Sequence, residues 1–240
     1  MSAVEVYAVQ PSAAQPLIAA LALLSPLGAL VYGLVFSHRH PSAPRTSVKV
    51  AAVGILALLA AFATLTAGDA SLPWAVLALG YALCAIGDAF LAGDPKRWLT
   101  PGLVAFLVGH IGFIVLFATA GEAQAFGPGV YLAMAAVALT GAGMLAWLWP
   151  DLDSMRWPVA AYVVVIVTMV GVSLPHWGHN IAWPIGALMF MASDAILAGE
   201  LFKGTRLFRS PRLTAWAIWF LYYGAQLAFL AGTIGYADRY

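Results

Sequence analysis

Two eight-residue strings carry the same pattern of acids. Residues 87–94 read GDAFLAGD and residues 193–200 read SDAILAGE, with five of the eight positions identical. Asp88 and Asp194 are the first acids of the two copies, and both follow long apolar runs. Asp88 precedes Lys96 by eight residues, and Asp194 precedes Lys203 by nine. At a helical rise of about 1.5 Å per residue, each carboxyl lies roughly 12 Å inside a basic flank. A carboxylate facing lipid at that depth is costly, so both should face a bundle interior or a wet cavity. Two carboxyls sharing such a space suit acid–base chemistry. Burial and a like-charged neighbour favour one neutral acid, which can donate a proton while its partner stays ionised.

Other polar residues fall at the same level. His110 lies nine residues past Pro101 and reads either as a site residue or as a contact between helices. Tyr223 has a matching distance from its own flank and is assigned to the site, whereas Tyr222 and Gln226 are assigned to helix contacts. Tyr81 precedes Asp88 by seven residues and shares its helix face two turns away. Asp94 and Glu200 also correspond in the repeat and are expected near the interface, solvated or paired with Lys and Arg. His176 and His179 in HWGHN lack evident third and fourth ligands, so no metal site is expected. The single cysteine, Cys84, excludes an internal disulfide and a Cys-cluster metal site. G-x-S-x-G, P-loop and H-E-x-x-H patterns are absent, and acid–base chemistry on two carboxyls needs no cofactor.

The elements that must position these residues are membrane helices. Of 240 residues, 63% are apolar and 9% charged, against about 25% charged in a soluble domain. Such a surface belongs in lipid. The net charge of +1 gives no basic field for nucleic acid. Strand alternation is absent, which argues against a β-barrel. Eight spans of suitable length are expected, at about 17–36, 48–67, 72–92, 101–120, 129–149, 157–174, 182–202 and 213–232. The first 16 residues hold Glu5 and no Lys or Arg, so the first span is expected to be retained, not cleaved as a signal peptide. The predicted fold is all-α: one integral-membrane domain over 1–240, with two parallel four-helix repeats at about 17–120 and 129–232. Ten of the eleven basic residues fall in the connections after spans 1, 3, 5 and 7. The positive-inside rule makes those connections cytoplasmic and puts both termini outside. The Ala-rich composition and the lack of eukaryotic sorting signals suggest a bacterial inner membrane.

ALCAIGDAFLAG followed by GLVAFLVGHIGFI, and PIGALMFMASDAILA followed by FLYYGAQLAFL, resemble the YhhN family of lysoplasmalogenase-like membrane proteins. VAAYVVVIVTMV fits that family's Tyr-and-Met helix. Phe113, where a tyrosine is expected, and Ala85, where a serine is common, depart from the pattern. The resemblance implies hydrolysis of the vinyl ether bond of a lysophospholipid within the bilayer, releasing a fatty aldehyde and a glycerophospho head group. It also implies Asp88 and Asp194 as the catalytic pair, with His110 beside them. The shape of such a substrate would put its phosphate near the basic loops, where Lys96, Arg97, Lys203 and Arg206 are candidates to attract it. A proton-coupled transporter is the alternative, since it too would use repeats and buried acids. Unbroken spans around the aspartates weigh against it.

Overall fold

The computed structural model describes residues 15–93, 95–120 and 127–239, apart from the side chains of residues 95 and 96. Among the described residues, eight helices are long and apolar enough to cross a membrane, and they coincide with the eight expected spans. They are α1 Gln15–Val31, α2 Ala43–Thr66, α3 Ser71–Leu91, α4 Pro95–Thr119, α5 Pro128–Leu148, α6 Arg156–Ser173, α7 Ala182–Lys203 and α8 Pro211–Ala237.

Two helix starts differ from the sequence expectation in ways that matter for the site. Helix α2 starts at Ala43 because Ser42 is extended and Pro44 suits the first helical turn, so Lys49 lies inside the helix. Helix α4 starts at Pro95 and runs through Pro101, which therefore does not mark its beginning. Pro101 has no N–H to donate to the carbonyl four residues back, and the helix runs on through it. Helix α1 continues into a π-helical turn over Tyr32–Phe36, and Ser37 Oγ then donates to the Gly33 carbonyl at 2.7 Å. Gly204, in the left-handed conformation, ends α7 in the usual manner of a helix C-terminus.

Helix α3 packs on α2 and α4, α7 on α6 and α8, and α4 on α6. Helices α3 and α7 thus each pack against the helices that flank them in sequence. Helix α4 lies broadly against α6, while the contact of α8 with α2 is slight. Large apolar residues such as Leu23, Leu58, Leu79, Leu132 and Val164 are exposed on the outside of the bundle, as a lipid-facing surface requires. The interior is aromatic, with Phe113, Phe117, Phe190, Phe229 and Trp183 fully buried.

The connections sort to two ends. At one end, Arg45 Nη1 donates to the Ala92 carbonyl at 2.9 Å, Thr100 Oγ1 contacts Met155 Sδ at 3.6 Å, and Lys203 pairs with Asp151. At the other, His176 Nε2 donates to the Phe117 carbonyl at 2.8 Å, and Asn180 Nδ2 donates to the Gly232 carbonyl at 3.0 Å. The basic residues of the first set of connections therefore share one end of the bundle.

Small residues set how closely α3 and α4 approach, as is usual between membrane helices. A Cβ on Gly80 would meet the Phe113 ring at 2.5 Å, and one on Gly87 would meet Phe106 at 2.6 Å. Gly80→Val should lower stability by about 1–3 kcal/mol through overpacking. Thermal unfolding in detergent checks this, and an unchanged midpoint would contradict so tight a contact.

Candidate active site

Asp88 and Asp194 line one cavity of about 290 Å³. Its wall is mainly apolar and drawn from the π-helical turn and from α2 to α8, with Met144, Leu148, Val159, Val163 and Ile166 along α5 and α6. It reaches the basic end, where Ser37, Arg45 and Glu200 contribute. The Gly87 notch admits the Phe106 ring beside Asp88 and turns that ring into part of the wall.

Asp88 lies in the last turn of α3 and is 1% exposed. Lys49 Nζ from α2 stands 2.9 Å from its Oδ1. That contact is ionic, since Oδ1 receives no well-aligned hydrogen bond. Tyr222 from α8 donates its hydroxyl to Oδ2 at 2.8 Å. The Lys49 ammonium also lies over the rings of Tyr32 and Trp219, at 5.8 and 5.9 Å from their centroids. A buried carboxylate thus has a cation and a hydroxyl of its own, as burial demands.

Asp194 lies well inside α7, and its side chain keeps 18% exposure. Tyr162 from α6 donates its hydroxyl to Oδ2 at 2.6 Å, a length typical of a bond to a carboxylate. The same oxygen stands 3.8 Å from Nε2 of the fully buried His110. His110 Nδ1 lies 2.6 Å from the Phe106 carbonyl, which can only accept, so Nδ1 carries a proton. In neutral His110, Nε2 then presents a lone pair toward a carboxyl oxygen, and it has no hydrogen-bond partner. One proton between the two groups removes that repulsion, whichever group bears it. The rings of Phe190, Tyr162 and Phe113 fix the imidazole edge-on, at 4.4, 5.3 and 6.3 Å.

The structure therefore brings together Asp88, Asp194 and His110. It puts the tyrosines elsewhere than spacing suggests. Tyr222, assigned to helix contacts, touches Asp88. Tyr223, assigned to the site, bonds Ser25 Oγ at 2.7 Å, and Ser25 in turn donates to the Ala52 carbonyl at 2.6 Å. Tyr81 donates to the Gln226 carbonyl at 2.6 Å and does not line the cavity. These two join helices. Adjacent residues on a helix point about 100° apart, so a depth argument alone cannot separate Tyr222 from Tyr223.

Three of the four basic candidates, Arg97, Lys203 and Arg206, have described side chains, and these do not reach the cavity. Arg97 lies over Trp98 at 4.8 Å, Lys203 pairs with Asp151, and Arg206 Nε stands 3.6 Å from Glu200 Oε1. None of the three lines the cavity. The side chain of Lys96 and the whole of Asp94 lie outside the described residues. The cavity's basic residues, among those described, are Arg45 and Lys49. Sequence reasoning counted both only as topology signals, although the Ser42-Ala43-Pro44 helix start already sets Lys49 within α2. Tyr162 was visible only as part of a family motif. His176 and His179 hydrogen-bond each other at 3.2 Å. No group of three or more metal-ligating side chains occurs among the described residues.

Comparison with known proteins gives the chain a family. The YhhN family model matches residues 44–233, and the chain belongs to that family. It is 33% identical over 163 residues to proteins named lysoplasmalogenase from Mycobacterium bovis and Mycobacterium tuberculosis, covering 66% of this chain and 59% of theirs. The chain thus spans about three fifths of the length of those relatives. It is 29% identical over 191 residues to the uncharacterized membrane protein YhhN of Escherichia coli, covering 77% of this chain and 86% of that one. No solved structure matches.

Lys49→Met would leave the Asp88 carboxylate buried without its cation, which costs about 3–5 kcal/mol. Thermal unfolding of Lys49→Met and of Lys49→Met/Asp88→Asn should show the double variant recovering much of that loss. Simple additivity of the two substitutions would deny the pair its structural coupling.

Proposed function

We propose that this protein is an integral-membrane hydrolase that cleaves the vinyl ether bond of lysoplasmalogens. The observation that carries the reading is the pair of carboxyl groups in one apolar cavity, each with a different set of partners. Asp88 is held against an ammonium and is the ionised member. Asp194, 3.8 Å from the unpaired Nε2 of His110, is the protonated member and the acid. The names of the mycobacterial relatives support the substrate class.

The reaction begins when the Asp194 carboxyl gives its proton to the double-bond carbon remote from oxygen. The ether oxygen then shares the positive charge that forms on the adjacent carbon. The Asp88 carboxylate stabilises this oxocarbenium ion, as in two-carboxylate glycoside hydrolysis. Water adds to the cationic carbon, and its surplus proton returns to the Asp194–His110 pair. The hemiacetal next loses its hydroxyl proton while the ether oxygen gains one. The carbon–oxygen bond breaks, giving a fatty aldehyde and a glycerophospho alcohol. His110, which does not line the cavity, acts as the positioning residue whose unpaired Nε2 favours the protonated Asp194 carboxyl.

In this reading the alkenyl chain lies along the α5–α6 wall and the head group faces the basic end. We place that end in the cytoplasm of a bacterial cell, with the inner membrane around the bundle, by the positive-inside rule. Helices α3 and α7 run unbroken through their aspartates, unlike the interrupted helices of many transporters.

The test is aldehyde release from purified protein given a lysoplasmalogen. Asp88→Asn and Asp194→Asn should each fold and lose activity by about 100-fold or more, the scale of general acid–base catalysis. Tyr222→Phe should lower kcat, whereas Tyr223→Phe should leave kcat near the parent value and reduce only stability, by about 1 kcal/mol. Near-parent aldehyde production by either Asn variant would sink the mechanism. Absence of aldehyde with the parent protein would sink the function.

A further inference from the structure

We propose that Arg45, with Lys49 one turn further in, forms a subsite for the phosphodiester monoanion of a single-chain glycerophospholipid. The proposal rests on the lysoplasmalogen reading and names the residues that hold the substrate's head group.

The charges around the cavity point to an anion. The charged residues that line it are Arg45, Lys49, Asp88, Asp194 and Glu200. Lys49 is matched by Asp88, and Glu200 faces Arg206 at 3.6 Å. Asp194, the protonated acid of the proposed reaction, and the neutral His110 beside it add no charge. Arg45 is left as the one lining charge without an opposite partner among the described residues. In an apolar cavity that imbalance favours a ligand with one negative charge. A phosphodiester carries one such charge, and a phosphomonoester carries more near neutral pH.

Arg45 is also built to receive it. Its Nε donates to the Phe36 carbonyl at 3.3 Å and its Nη1 to the Ala92 carbonyl at 2.9 Å. A guanidinium has five N–H donors, so three remain for a ligand. The Tyr32 ring lies 5.7 Å from the guanidinium carbon and limits its swing. The π-helical turn that contains Tyr32 and ends at Phe36 supplies both the ring and one anchoring carbonyl. Such turns recur at functional sites.

The level fits the substrate. Arg45 lies in the first turn of α2 and meets the C-cap of α3, at the basic end of the bundle. Lys49 and Asp88 lie one turn deeper on the same two helices, about 5–6 Å away along the axes. A three-carbon glycerol unit bridges a gap of that order. A phosphate on Arg45 therefore carries the vinyl ether to the level of Asp88.

Binding of uncleavable probes tests this without requiring hydrolysis. The purified full chain would be titrated with a 1-acyl lysophosphatidylcholine, a monoacylglycerol of the same chain length, the matching fatty acid anion and free glycerophosphocholine. The parent should bind the lysophosphatidylcholine about tenfold more tightly than the monoacylglycerol, the scale of one charged hydrogen-bonded contact. Arg45→Gln should remove that preference and leave monoacylglycerol affinity unchanged. Arg45→Lys should keep part of it, because charge is retained and the fork geometry is lost. With lysoplasmalogen, Arg45→Gln should raise KM more than it lowers kcat. A folded Arg45→Gln protein with an unchanged preference overturns the proposal. Should that variant not fold, the parent decides: equal affinity for the two lipids overturns it, and the tenfold preference supports it. Fatty acid binding as tight as lysophosphatidylcholine overturns the phosphodiester assignment. Glycerophosphocholine binding as tight as the lipid overturns the lipid assignment. If the preference holds while no aldehyde forms, the hydrolase reading fails and the subsite stands.

Discussion

A carboxylate that leaves water for the interior of a membrane bundle loses hydration worth several kcal/mol, and only a cation, donors or a proton can compensate. This protein meets that constraint twice, in two ways. Asp88 draws Lys49 from α2 and Tyr222 from α8, so one side chain ties three helices together. Asp194 draws Tyr162 from α6 and sits against His110 from α4. Helices α2, α4, α6 and α8 each present a polar group to an acid on α3 or α7, so these helices are not arranged by apolar contact alone.

The difference between the two solutions is what gives the cavity direction. A carboxylate satisfied by an ammonium has little need of a proton. The Asp194 carboxyl instead faces the unpaired nitrogen of a buried imidazole at 3.8 Å. Two strings identical at five of eight positions thus meet unlike partners because the helices packed on them differ. The packing differs too: α4 lies broadly on α6, and α8 only slightly on α2.

Much of this was legible in the sequence. Eight apolar runs gave the eight helices, and an acid inside an apolar run is informative because chance placement there is so costly. The repeat picked out Asp88 and Asp194, and depth brought in His110. Rotation about a helix axis was not legible. The two candidate tyrosines of α8 are adjacent in sequence, and only the placement of α3 against α8 decides which meets Asp88. Lys49 was hidden for another reason. A lysine near a span boundary reads as a topology signal, and it becomes a partner for Asp88 only once the start of α2 is fixed by Ser42 and Pro44.

The central claim is that a carboxylic acid in this cavity protonates carbon before water attacks. Hydrolysis of a lysoplasmalogen in deuterium oxide, followed by mass spectrometry of the aldehyde, tests it most directly. The account predicts a single deuterium on the carbon next to the aldehyde, and with oxygen-18 water it predicts no label in the glycerol product. An aldehyde without deuterium at that carbon, or heavy oxygen in the glycerol product, would contradict it.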